Sequence, residues 1–123
     1  MSQLQQEQDL TVLEPSISSQ KKRILVVDDE VDITTIFKLA LEKVILHVDV
    51  YNDPLLALSD YKAGMYDLLL FDIRMPGMNG FELYRKIKDI EEERRKLRMV
   101  NLGYASSQHM KNFAVNLRKH FQL

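Results

Sequence analysis

The stretch Leu68-Leu69-Leu70-Phe71-Asp72-Ile73-Arg74-Met75-Pro76-Gly77-Met78-Asn79-Gly80 decides the fold. It opens on a short apolar run bounded by polar residues, the mark of a strand buried on both faces of a parallel sheet. Upstream, Ile24-Leu25-Val26-Val27 repeats the pattern and runs into Asp28-Asp29. Strands joined by helical crossovers lie parallel, so their C-terminal ends share one edge of the sheet. With these strands as neighbours, Asp28, Asp29 and Asp72 converge at that edge, where open α/β sheets bind ligands. Two carboxylates about 4 Å apart repel by roughly 4 kcal/mol at an effective dielectric near 20. A hard divalent cation relieves that cost, and carboxylate oxygens with retained waters suit Mg²⁺.

An Asp that ends one strand is commonly a turn former or a helix N-cap, and Asp28 or Asp29 could simply cap the next helix. Two strands that both end in Asp, the second followed by Met75-Pro76 and Gly80, favour the acid pocket. The chain has Val26-Val27-Asp28-Asp29-Glu30, then Asp72, Met75, Pro76 and Gly80 in D-x-x-M-P-x-x-x-G spacing, then Phe81-Glu82-Leu83. In these residues it resembles the response-regulator receiver domain of two-component phosphorelay signalling, over roughly Arg23 to Lys88.

The resemblance implies a flavodoxin-like fold, a doubly wound parallel α/β sheet. It implies Asp72 as phosphoacceptor, taking a phosphoryl group from a histidine of a sensor histidine kinase or phosphotransfer protein. It implies Mg²⁺ as cofactor, ligated by Asp29, Asp72 and the backbone carbonyl of Arg74, with Asp28 acting through a metal-bound water. Catalysis in such a site is positioning and electrostatics. A haloacid-dehalogenase-like phosphohydrolase would want a second Asp two residues after the nucleophile, where this chain has Arg74. A pseudo-receiver that binds a partner without phosphorylation is the other alternative.

Composition agrees. A chain of 123 residues is one domain's worth. The absence of Cys excludes disulfides and thiolate chemistry and fits a reducing cytoplasm. No apolar stretch approaches the roughly 20 residues of a membrane span, and a net charge of −1 gives no drive toward nucleic acid. Any downstream effect is expected to pass through protein contacts.

Residues 1–22 are Gln-, Ser- and Glu-rich and read as a disordered tail. Ile33, Ile36, Phe37, Ala40, Leu41 and Val44 recur at helical spacing as one apolar face. Val48 to Tyr51 reads as a strand. Asn52-Asp53-Pro54 then starts a helix that uses Leu55, Leu58 and Tyr61 and stops at Gly64. Tyr66 to Phe71 is the central strand. A long helix follows from Gly80 to about Lys96 on Phe81, Leu83, Tyr84, Ile87 and Ile90, with Glu91 to Lys96 as its solvated end. The receiver portion is thus 23–96.

Residues 97–123 are too few for the two strand–helix units that a receiver still needs. Three or four strands are expected instead of five, and the third strand is left as a bare apolar edge. The family's Ser or Thr after its fourth strand and Lys after its fifth have no match. Ser106 or Ser107 could mimic the hydroxyl after a weak strand at Met99 to Tyr104, although Asn101 and Gly103 suit a buried strand poorly. Lys111 and Lys119 fall in a helical pattern with Phe113, Leu117 and Phe121. Degenerate codons for Gly103 to Ala114, read from the third base of Gly103, permit an apolar strand ending in Thr-Ala. A degenerate, truncated or frameshifted C-terminal third is the expectation, with plain divergence as its rival.

Overall fold

In the computed structural model, the described residues are 22–44, 47–107 and 110–121. They form β1 (Arg23–Val27), α1 (Val31–Glu42), β2 (His47–Tyr51), α2 (Pro54–Asp60), β3 (Leu68–Phe71), α3 (Gly80–Ile90), β4 (Arg98–Asn101), α4 (Leu102–Ser107) and α5 (Met110–Phe121). The sheet has four strands in the order β2-β1-β3-β4, every pairing parallel. The expected tail lies outside the described residues, apart from Lys22.

Each apolar run alternates between two cores. Ile24, Val26, Leu68 and Leu70 face α1 and α5, where they meet Phe37, Leu41, Phe113 and Leu117. Leu25, Val27, Leu69 and Phe71 face α2 and α3, against Ala57, Leu83 and Ile87. The Phe37 and Phe113 rings meet edge to face, 6.4 Å between centroids, and hold the last helix on the first. Helix α2 starts as the sequence predicts: Asp53 caps it by accepting the Leu55 N–H, and Pro54 fills its first turn.

Five expectations need correction. The third strand is not a bare edge, because β4 pairs along it from Leu68↔Arg98 to Phe71↔Asn101. β4 is shorter and earlier than Met99 to Tyr104. Asn101 Oδ1 accepts the Gly103 N–H at 2.8 Å, which turns the chain from strand into α4. The long helix ends at Ile90, and Glu91 leaves it to bury its carboxylate, 6% exposed, on Tyr61 Oη and the Gly64 N–H. The apolar stripes are narrower than drawn: Ile36 and Phe81 are each 53% exposed, Leu55 and Ile90 also face solvent, and Ala57 takes the inward place on α2. Helix α2 likewise stops at Asp60, ahead of Gly64, which serves a later turn at φ +79.

Candidate functional site: three carboxylates at the sheet edge

The ladder carries straight into the site. The Asp28 N–H donates to the Tyr51 carbonyl at 3.1 Å, and the Asp72 N–H donates to the Val27 carbonyl at 2.9 Å. Register therefore places the acids that follow β1 and β3 side by side. Each of Asp28, Asp29 and Asp72 offers a carboxylate oxygen within 4.8 Å of the other two. Asp28 is buried, Asp72 half-buried and Asp29 exposed, so the cluster is a pocket open on one side.

Local turns aim these side chains. Asp28 Oδ1 accepts the Glu30 N–H at 2.8 Å, and Asp72 Oδ1 accepts the Arg74 N–H at 3.2 Å. After Asp72, Met75 and Met78 plug into the core beneath the loop, and Gly77 makes its turn at φ +85. Gly80 packs so closely that a Cβ there would drive into the Asp72 carbonyl oxygen. The same residue opens α3, where Asn79 and Glu82 form a capping box.

Electrostatics follow from that packing. Burial pushes the Asp28 carboxyl up to about 6, with the Asp72 and Asp29 charges adding to the rise and the Glu30 N–H opposing it. A three-carboxylate, all-oxygen donor set of this kind fits Mg²⁺ or a similar hard cation.

The three acids singled out in the sequence are thus brought together, with the Arg74 amide beside them. The expected hydroxyl is not placed there by β4. The strand β4, Arg98–Asn101, has no hydroxyl side chain, its pairing ends at Phe71↔Asn101, and the chain enters α4 at Leu102, which is buried in the core. Ser106 and Ser107 lie further on, at the end of α4, and their side chains fall outside the described residues, as does that of Lys111. Lys119 is exposed on α5. Sequence reading missed Asn52, whose side chain reaches the Asp28 carbonyl at 2.8 Å, and Thr34, buried beneath it. Nothing in the pattern of a polar loop residue signalled the first. Thr34 within an apolar helical face is the one cue that was available.

A parallel sheet with paired acids after its first strand and a third after β3 defines an α/β domain with an acidic cluster at the C-terminal edge of its sheet. Residues 24–119 match the family pattern of the response regulator receiver domain, and the chain belongs to that family. Among curated relatives, it is 41% identical over 73 residues to the cyclic di-GMP phosphodiesterase response regulator RpfG of Xanthomonas campestris, covering 58% of this chain and 19% of RpfG. The chain therefore spans about a fifth of that relative's length. Among solved structures, the non-phosphorylated HemR receiver domain of Leptospira biflexa superposes with a TM-score of 0.67 at 22% identity, covering 84% of this chain and 96% of HemR. The response regulator TrrA of Thermotoga maritima, solved with Mg²⁺ and BeF, gives 0.57 at 30% identity over 76% of this chain and 80% of TrrA. TrrA in complex with the histidine kinase ThkA gives 0.58 at 32% identity, covering 76% and 79%. No helix among the described residues is long and apolar enough to cross a membrane.

Proposed function

We propose that this receiver accepts a phosphoryl group on Asp72 from the phosphohistidine of a sensor histidine kinase or phosphotransfer protein, in cytoplasmic phosphorelay signalling. The observation that carries the reading is the convergence of Asp28, Asp29 and Asp72 within 4.8 Å at the C-terminal edge of the sheet. Asp28, Asp29, Asp72 and the Arg74 carbonyl would hold Mg²⁺. When bound, the ion offsets negative charge on the carboxylates and the phosphoryl oxygens. The chain's own groups do the rest. The Arg74 N–H on Asp72 Oδ1 fixes the carboxylate's rotation and leaves Oδ2 to attack phosphorus. A new O–P bond forms as the N–P bond breaks, and the departing imidazole retains the electron pair. Gly80, where a Cβ would clash with the Asp72 carbonyl oxygen, lets the start of α3 pack close against the acceptor's backbone. TrrA, crystallised both with Mg²⁺–BeF and with a kinase, supports the choice of cofactor and partner.

Residues 23–96 carry this chemistry, and 97–123 form an atypical C-terminal segment. That β4, Arg98–Asn101, has no hydroxyl side chain supports a second feature: phosphate acceptance without normal switching. Incubation with acetyl phosphate and Mg²⁺, followed by borohydride trapping and peptide mapping, tests the reading. Label should fall on Asp72 and vanish in Asp72→Ala. Label on another Asp, with Asp72→Ala still reactive, would overturn it. No label in any protein would favour a pseudo-receiver.

A further inference from the structure

The peptide bond between Asp28 and Asp29 joins the two acids that follow β1, so its orientation sets where both carboxylates point. Its carbonyl oxygen, that of Asp28, accepts a hydrogen bond from Asn52 Nδ2 at 2.8 Å. The same Nδ2 also donates to Thr34 Oγ1 at 2.9 Å. Thr34 in turn donates to the Val31 carbonyl at 3.1 Å, in the first turn of α1. A primary amide nitrogen has two protons and a hydroxyl has one, so every proton in this chain is used. Such directional, saturated chains strengthen one another. Asn52 follows β2, Thr34 sits on α1 and Asp28 follows β1, so three elements are tied at one peptide plane.

The arrangement exceeds what the fold needs. Ladder pairing already holds the Asp28 N–H on Tyr51, and Asp53, not Asn52, caps α2. Asn52 is itself exposed, so no burial of its side chain accounts for the contact. What it adds is a fixed direction for the one carbonyl that lies between the acids. We propose that Asn52 is a positioning residue of the acid pocket: with Thr34, it locks the Asp28–Asp29 peptide so that both carboxylates meet Asp72 before any cation arrives. The inference rests on the proposed Mg²⁺ site. Outer-shell partners of this kind typically change metal affinity by about 10–100-fold when removed.

The full chain serves for the test, with Mg²⁺ alone as the probe. Asn52→Ala should weaken Mg²⁺ about tenfold, at the low end of that range. Asn52→Asp keeps the shape, loses both donors and adds a negative charge near the pocket. Pure electrostatics would make it bind Mg²⁺ more tightly, whereas lost positioning makes it bind more weakly. A second readout needs no metal: the Glu30 N–H donates to Asp28 Oδ1 across the locked peptide, and its hydrogen exchange in chelator should speed up in both variants while amides of β1 stay unchanged. Weaker Mg²⁺ in both variants with faster Glu30 exchange supports the proposal. Parent-like Mg²⁺ affinity in Asn52→Ala, or tighter binding in Asn52→Asp with unchanged Glu30 exchange, overturns it. If the parent itself binds no Mg²⁺, the metal-site reading fails, and the exchange of Glu30 alone decides whether Asn52 locks the peptide. Loss of β1 protection in both variants would mark Asn52 as a general fold contact and also overturn the proposal.

Discussion

Asp28 is the residue at which stability and function pull in opposite directions. It is 5% exposed, beside two other carboxylates, and its carboxyl is held up at about 6. A carboxyl raised in the folded state ionises later there than in the unfolded chain. Stability present below the ordinary value of 3.8 is therefore lost as pH rises toward 6. At 1.36 kcal/mol per pKa unit, the cost above that window is on the order of 2–3 kcal/mol. Asp28→Asn keeps an oxygen for the Glu30 N–H and removes the charge. In chelator, its urea midpoint should match the parent near pH 4 and exceed it at pH 7.5 by an amount worth about 2 kcal/mol. The same variant should bind Mg²⁺ poorly. Equal midpoints at both pH values would show that burying the Asp28 charge beside two other acids carries no cost.

At the scale of elements, the end of α3 is tied to the segment before β3. Glu91 accepts from Tyr61 Oη and the Gly64 N–H, and Arg95 bridges from Glu91 to the Tyr66 carbonyl and Asp67. Burial alone would raise the Glu91 carboxyl, but the Tyr61, Gly64 and Arg95 donors outweigh it and hold the group below its ordinary value. A depressed carboxyl stabilises the fold above the ordinary Glu value of 4.5 and ceases to as pH falls below it. Glu91→Ala, which strands those donors, should cost about 3 kcal/mol at neutral pH. Thermal melts should show the difference shrinking below pH 4. This tie also marks the limit of sequence reading. The runs at 24–27 and 68–71, the Asp trio and the Asp53-Pro54 cap were legible, because each depends on neighbours in the chain. Glu91 was not, since a Glu in a charged run looks solvated until Tyr61, thirty residues earlier, is brought beside it. Asn52 was illegible for the same reason; a weak strand near Met99 was legible but its bounds were not, because the Asn101 side chain ends it by taking the Gly103 N–H.

For the whole molecule, two cores flank a four-stranded sheet, and α5 reaches α1 without a fifth strand among the described residues. If residues 97–123 are the atypical segment proposed here, replacing them with the C-terminal third of a five-stranded receiver should raise the melting temperature. It should also bring a phosphorylation-dependent spectral change that the parent lacks. A parent that already switches fully on acetyl phosphate would contradict this.

The place of β1 within the sheet has a consequence in time as well as in space. It is bonded on both sides, to β2 and β3, whereas β2 and β4 are outermost. Interior strands exchange their amide protons only through global opening, while outer elements open in smaller, cheaper excursions. Amides of Leu25 and Val26 should thus be among the last to exchange, and those of β4 and α5 among the first. Because Asp28 and Asp29 continue directly from β1, two of the three acids of the pocket are anchored to the slowest-opening part of the molecule. The C-terminal helices can then fray many times over while the two acids after β1 hold their positions.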